Sequence, residues 1–497
     1  MAKRTDSPGL GSLGSGAVTG ASLLVISTVA AAVGVVIARK FGRSDETDGL
    51  LAAYGVFIVI GIAAQAIRVA VLPELAAARA AGRLAGEVAG YVLALLVFAL
   101  PLLLLAELGA HDLGWVLTGA GSEVARATAA DALRWMVPAA IAYLFAGVVS
   151  SALAALDDYT TAAVGYAAGS GLALALILLR TDEDGIIVVA WGVALNTTIA
   201  LAVPTVALAV RAARAAMPHM AVRPERGRLG ERVRASAVSA SLPLALQLLY
   251  VVCLPFAARI GTGAATSFVY AYLAAASVVA VAAASLGLAT SVPLSRRGLD
   301  SRAVAEHVVA SSWLALTLVG AAAGMFAVAG GDVVEAVLGS SYAGDVGTNL
   351  GRVVVALSPW MVASVGVSVS FPLMFVVSRT RALPWTALAA LAAQIPLAWL
   401  GERLLDLEGL ALSLAISTFL VLGVLLWELG ALAAAARGLL RAGAVVALIA
   451  VTSFGAAQLV PGAAISGAVG VVAYVLLLGL VRPRGLATSW RYLRALG

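Results

Sequence analysis

Charge is what this chain lacks most. Only 12% of its 497 residues are Asp, Glu, Lys or Arg, about half the share of a soluble domain. No polar stretch exceeds about 25 residues, which is too short to fold as a separate water-soluble domain. Lysine occurs only at Lys3 and Lys40, and cysteine only at Cys253. A single cysteine rules out an intramolecular disulfide and says nothing of redox compartment. The three histidines, His111, His219 and His307, fall in or near loops. There is no Walker sequence, no phosphate-binding glycine loop, no metal-ligand cluster and no nucleophile triad. An ATP-driven pump or a membrane-embedded enzyme therefore has no support, and no cofactor or metal is expected. Carboxylates are also missing from the depths of the apolar stretches, with Glu107, Asp131 and Glu428 at their edges. Proton- or sodium-coupled antiport usually needs such an acid.

What remains is apolar. Hydrophobic residues make up 62% of the chain and the mean hydropathy is +1.03. A bilayer-spanning helix needs about 20 mostly apolar residues, because it rises about 1.5 Å per residue through about 30 Å of hydrocarbon. About fourteen stretches meet that length: 15–38, 49–72, 86–106, 132–156, 160–179, 186–210, 235–258, 265–292, 304–329, 351–377, 383–401, 409–427, 442–459 and 464–481. Lys3 and Arg4 precede the first as in a signal peptide, but it is long enough to span and is read as the opening helix. The expected fold class is an all-α polytopic membrane protein.

Loop charge sets the expected orientation. If the N-terminus is cytoplasmic, 22 basic residues fall on that side, among them the seven arginines between Arg211 and Arg234, and eight fall on the other. Positive charge resists translocation, so both termini are expected inside, which the even span count also requires. The net charge of +6 and pI near 9.7 are then arginines beside anionic lipid rather than a nucleic-acid surface.

The second half echoes the first. Arg39 and Arg259 are 220 residues apart, as are Pro73 and Pro293, while Pro138 and Pro359 are 221 apart and Gly185 and Gly409 are 224 apart. Each unit holds six spans, an even number, so the repeats share orientation, as in parallel-repeat transporters. The division read from this is a six-helix lobe over 1–210, a basic cytoplasmic linker over 211–234, a second six-helix lobe over 235–430, and two extra helices with a tail over 431–497.

Two local patterns carry a family resemblance. Val36-Ile37-Ala38-Arg39-Lys40-Phe41-Gly42 with Thr47-Asp48 is similar to an Ala-Arg-x-Phe-Gly turn and its downstream Thr-Asp. Tyr270-Ala271-Tyr272, then Gly287-Leu288-Ala289-Thr290 and Pro293-Leu294-Ser295, resembles a helix ending in Leu-Pro-x-Leu-Ser. Both resemble the MurJ/MviN branch of the multidrug/oligosaccharidyl-lipid/polysaccharide (MOP) exporter superfamily, whose plan is two six-helix lobes plus two C-terminal helices. The resemblance implies a flippase or exporter in the bacterial cytoplasmic membrane, working by alternating access on a lipid-linked cell-envelope glycan precursor, either lipid II or a polysaccharide repeat unit. Implied partners are that substrate, membrane lipids and envelope-synthesis proteins. The family's cavity arginines align here with Ser27, Val33, a position near Gly61, and Tyr272-Leu273. A drug or cation antiporter of the same superfamily, and a non-transporting scaffold with the flippase fold, stay open as alternatives.

The residues themselves supply candidates. Arg68 is an arginine inside a lobe helix away from loops, with Gln65 one turn earlier on the same face. An intramembrane guanidinium usually faces water, a cavity or a partner, and its planar fork suits a phosphate; its nearness to Pro73 also lets it snorkel to the headgroups. Asn196 and Gln247 are mid-span amides that bond either a neighbouring helix or a substrate. Tyr272, with Tyr250 and Tyr270, offers a face for a sugar or for packing. Arg39 and Arg259 end repeat-related helices, where a gate role competes with the favourable pairing of a cation with the helix C-terminus.

Overall fold

The computed structural model describes residues 10–119, 121–214, 229–296, 301–377, 379–483 and 485–488. Among these residues every regular element is helical, as backbone in hydrocarbon must satisfy its own hydrogen bonds. The elements are α1 (Leu10–Phe41), α2 (Asp45–Ala80), α3 (Leu84–Leu108), α4 (Ala110–Thr118), α5 (Glu123–Ala155), α6 (Thr160–Asp184), α7 (Val188–Arg214), α8 (Leu229–Ile260), α9 (Ala264–Arg296), α10 (Ser301–Leu338), α11 (Asp345–Ala356), α12 (Ser358–Val376), α13 (Leu383–Glu428), α14 (Leu432–Ala457) and α15 (Ala463–Val481). Among the described residues eleven stretches are long and apolar enough to cross a membrane, and two of them, Thr160–Ala213 and Thr380–Glu428, each contain a helical hairpin. The chain is a multi-pass membrane protein.

The chain forms two compact units. The first holds residues 1–41, 45–118 and 122–247, and the second holds 42–44, 119–121 and 248–497. The division falls inside α8, which gives its first half to one unit and its second half to the other.

In the first unit, α2 runs parallel to α5. A Cβ added to Gly49 would sit 2.2 Å from the Ala125 carbonyl oxygen, and one added to Gly147 would sit 3.2 Å from that of Ala64. Without a hydrophobic drive between helices in lipid, such close approach of small residues is what holds them. Around it Ile60, Ile67, Val71 and Leu75 of α2 bury against Ala140, Leu144, Val148 and Ala152 of α5. Helices α6 and α7 form an antiparallel hairpin whose turn is Gly185, at φ +72°.

In the second unit, α13 is 46 residues long but not one rod. Leu405 (φ −145°) and Asp406 (φ 49°) break it, giving the two expected spans over 383–401 and 409–427. Past the break the two arms touch through backbone: a Cβ on Gly409 would lie 2.0 Å from the Gly401 oxygen. Helices α14 and α15 pack on α10, where Phe454 lies against Gly324 and the Tyr474 hydroxyl donates to the Thr317 carbonyl at 3.0 Å.

Several expectations need adjusting. The outer segment expected as a loop over 107–130 contains α4 and the first turns of α5, because Gly114 lets α4 lie on α5 with a Cβ position only 2.8 Å from the Arg126 oxygen. The span expected over 351–377 is two helices, α11 and α12, since Pro359 lacks the N–H to continue α11 and instead occupies the first turn of α12. Its repeat partner Pro138 lies inside an unbroken α5. The helix expected to span 49–72 runs on through Pro73 to Ala80. Gly185 makes a turn, whereas Gly409 is helical and the corresponding turn is made by Leu405 and Asp406. Those two glycines are therefore not equivalent. The linker residues 215–228, with His219, lie outside the described residues, as do the side chains of Thr290 and Pro293.

Candidate functional site

Polar side chains inside an apolar unit are the places to look for function. On α2, Arg68 is half-buried and lies near Tyr166 of α6. Tyr166 in turn meets Tyr143 of α5 edge-on at 5.5 Å. The Ser151 hydroxyl donates to the Gly147 carbonyl at 2.9 Å and reaches the Arg68 carbonyl at 3.4 Å. Arg68 thus has α5 and α6 of its own unit as surroundings. The side chain of Gln65 lies outside the described residues.

Asn196 on α7 bonds a neighbouring helix. Its Oδ1 accepts from the Ser170 hydroxyl of α6 at 3.4 Å, and its backbone packs on Gly169, where a Cβ would come within 2.6 Å. Thr197 and Thr198 donate to carbonyls of their own helix. Gln247 is half-buried at the point in α8 where the first unit ends. In the second unit Tyr272 is 3% exposed, stacked on Tyr250 at 3.9 Å between centroids and tilted against Trp360 at 4.9 Å. Two aromatic rings, Tyr250 and Trp360, thus pack against it. Arg39 is exposed near the end of α1. Arg259, near the end of α8, covers the Phe256 ring at 4.5 Å and stands 4.0 Å from Glu402 of α13. Within the first unit Arg68 adjoins α5 and α6, while Asn196 bonds Ser170 of α6.

Two polar clusters carry no signal in the sequence. In the second unit Gln394 of α13 is fully buried and donates through Nε2 to Cys253 Sγ at 3.1 Å and Ser413 Oγ at 3.2 Å. In the first unit Arg232, only 5% exposed, makes a bidentate pair with Glu87: Nε to Oε1 at 3.0 Å and Nη2 to Oε2 at 2.8 Å. Gly90, one turn beyond Glu87, makes room for it, since a Cβ there would lie 2.5 Å from Nη1. The guanidinium lies 5.8 Å from the Tyr91 ring centroid, and the Tyr91 hydroxyl donates to Glu74. Glu74, Arg83, Glu87, Glu231 and Arg232 line a cavity of about 330 Å³ where α2, α3 and α8 meet. Arg232 reads in the sequence as one more arginine of a basic linker, because a partner 145 residues away leaves no local trace.

The same end of the unit carries a second ionic junction. Asp157 ends α5 in the left-handed region, at φ 63°, and the Asp158 N–H reaches back to the Leu153 carbonyl at 2.9 Å, which is the Schellman closure. Arg79 of α2 donates to the Ala155 carbonyl and to Asp157, both at 2.6 Å. Asp158 caps α6 through Thr161 and pairs with Arg211 of α7 at 2.6 Å. Burial works against the Asp158 carboxylate, but the Thr161 hydrogen bonds and the Arg211 charge outweigh it and hold its pKa below the ordinary value. At the opposite end Lys40 of α1 pairs with Asp182 of α6 at 2.6 Å.

The whole-chain comparisons fit this architecture. No protein-family model matches the sequence, and no curated protein does. Solved structures do match. The structure described as "Lipid II flippase MurJ, inward closed conformation" aligns with a TM-score of 0.72, covering 94% of this chain and 99% of that one at 13% identity. The fold is that of MurJ. An inward-facing multidrug resistance MATE family transporter of the MOP superfamily aligns at 0.62 over 85% of this chain, with 17% identity and 95% of that chain covered. A MOP superfamily transporter from Pyrococcus furiosus aligns at 0.58 over 86%, with 16% identity and 95% of its own length. The MurJ structure thus aligns with more of this chain than the MATE transporter does.

Proposed function

We propose that this protein is a MurJ-like flippase or exporter that carries a lipid-linked cell-envelope glycan precursor across the bacterial cytoplasmic membrane by alternating access. The observation that carries the reading is the extent of the fold match: 94% of this chain and 99% of the MurJ chain, against 84–87% of this chain for the MATE structures. The loop arginines support an orientation with both termini in the cytoplasm. Arg68 is the cation proposed to meet the substrate phosphate, with Gln65 beside it, and Asn196, Gln247 and Tyr272 are kept as proposed polar or aromatic contacts. Arg39 and Arg259 are proposed as helix-end or gate residues.

Complementation of a conditional lipid II flippase mutant is the direct test. Growth restored by the wild-type chain and lost with Arg68→Ala, at unchanged membrane expression, supports the reading. Arg68→Lys should restore growth only in part, because an ammonium keeps the charge without the planar fork. Full rescue by Lys assigns Arg68 to headgroup snorkelling. One observation favours the non-transporting scaffold as a second reading: the positions aligned with the family's cavity arginines are Ser27, Val33, one near Gly61 and Leu273, the family's Asp-Arg pair being Tyr272-Leu273 here, and none of Ser27, Val33 and Leu273 carries a charge. Failure to complement by a well-expressed wild-type chain selects that reading.

A further inference from the structure

Helix α2 has a second, partly open face besides the one it buries against α5. Tyr54, Phe57, Gly61 and Arg68 follow one another at spacings of three, four and seven residues, so at about 3.6 residues per turn they fall within about 60° around the helix. All four are half-buried. Lipid does not account for this opening. Among the described residues of α2 no leucine, isoleucine or valine is exposed, whereas α3 exposes Leu93, Leu96 and Val97, and α6 exposes Leu172, Leu178 and Leu179. What α2 leaves open is two rings, a glycine and a cation.

Two neighbouring helices extend the face into a strip. The Tyr143 ring of α5 lies over Gly61, 4.0 Å from where a Cβ would stand. Tyr54 stacks on Phe57 at 5.7 Å between centroids, Phe57 meets Tyr143 at 6.4 Å, and Tyr143 meets Tyr166 of α6 edge-on at 5.5 Å. Arg68 lies near Tyr166, so the strip ends on a guanidinium. Exposure separates these rings from packed ones. All four are half-buried, whereas Tyr250, Phe268, Tyr272 and Trp360 of the second unit are 6% exposed or less. A ring face carries partial negative charge and attracts the C–H face of a pyranose, and a guanidinium fork takes a phosphate. Phe57 and Tyr54 stand about 16 and 21 Å from Arg68 along the helix axis, which leaves room for sugar rings beyond a phosphate. An organic cation would also lie on such rings, but Arg68 repels it and α2 has no carboxylate between Asp48 and Glu74 to hold it.

We propose that this strip is a glycan subsite: Arg68 takes the phosphate of a lipid-linked glycan, Tyr166 and Tyr143 flank the sugar next to it, and Phe57 and Tyr54 stack on the sugar beyond. The assignment rests on the proposed function. It adds the face that reads the glycan, the direction in which the glycan lies, and a preference for a glycosylated over a bare prenyl diphosphate.

Native mass spectrometry of the detergent-purified full-length chain tests it with two synthetic probes of equal prenyl length, a prenyl diphosphate with and without a disaccharide. The glycosylated probe is expected to bind about tenfold tighter, as two ring contacts of the strength of an aromatic pair would give. Tyr54→Leu/Phe57→Leu should abolish that difference and leave the affinity for the bare probe unchanged, while Arg68→Ala should weaken both probes alike. Tyr54→Phe keeps the ring and should keep the preference. If the double variant fails to fold, Phe57→Leu alone is expected to lower the preference about threefold. Equal binding of the two probes by the wild-type chain, binding of neither, or a preference that survives loss of the rings overturns the proposal. Displacement of the glycosylated probe by tetraphenylphosphonium, with the bare probe retained, makes the strip a cation site and also overturns it. A chain that keeps the tenfold preference but fails to complement the flippase mutant retains the subsite and refutes transport, so the two failures are distinct.

Discussion

Breaking the Glu87–Arg232 pair should be the most costly single change at the end of the first unit. The pair is 5% and 14% exposed, bidentate, and backed by the Tyr91 ring. Removing one partner of a buried pair typically costs about 3–5 kcal/mol, because the other charge is left without compensation. Glu87 retains some exposure, so the low end, about 3 kcal/mol, is expected for Glu87→Ala. For a unit of this size about 1 kcal/mol moves a melting midpoint by about 2–4 °C, which predicts a loss of about 6–12 °C. Thermal melting followed by size-exclusion chromatography of the detergent-purified chain measures it. The paired change Glu87→Leu/Arg232→Met removes both charges, and should recover most of the loss, since apolar replacement of a whole buried pair is often neutral or stabilising. A Glu87→Ala shift under about 2 °C, or a double variant as unstable as the single, refutes the claim that the cost is an uncompensated charge.

Further predictions concern other sites. Gly409→Ala should destabilise by about 1–3 kcal/mol through overpacking, because its Cβ would fall 2.0 Å from the Gly401 oxygen; the same melting assay reads it, and a neutral result removes the close approach from the account. Asp158 has a lowered pKa in the folded chain, so its contribution is present above its unfolded-state pKa and is lost as pH falls through the folded value. Acid titration of the melting midpoint should accordingly show a steeper loss in wild type than in Asp158→Asn, and parallel curves would count against this junction. Asp157→Ala keeps a non-glycine residue in the left-handed region, which costs about 1–2 kcal/mol relative to glycine there, and also removes the ion pair to Arg79. Asp157→Gly should cost less, because it relieves the backbone and removes only the ion pair to Arg79; equal costs would refute the backbone argument. Single cysteines at position 226 and in the 107–130 segment should label from the cytoplasmic and outer faces respectively. Cys253 is fully buried and Cys253→Ala serves as background; external labelling at 226 would reverse the orientation.

Legibility differed by element. All fourteen expected spans correspond to helix in the structure, since hydrocarbon length and backbone satisfaction are written in runs of about 20 apolar residues. Boundaries near α4 and at the α11–α12 break were not readable, because they depend on Gly114 meeting α5 and on what Pro359 does within its own turn. The candidate residues were legible as polar groups in apolar helices, but not their neighbours. Asn196 reads the same whether it meets Ser170 or a substrate.

Apolar length, loop arginines and the two local motifs come from the sequence alone, and together they define a multi-span helical chain, its expected orientation and its family resemblance. They do so because partition into a bilayer is a local, additive property of consecutive residues. Which small residues let α2 lie against α5, where α13 folds back, and that Arg232 answers Glu87 across 145 positions were decided only by tertiary structure. Close packing and charge pairing depend on which helix faces which, and helix periodicity leaves that open for chains apolar on nearly every side.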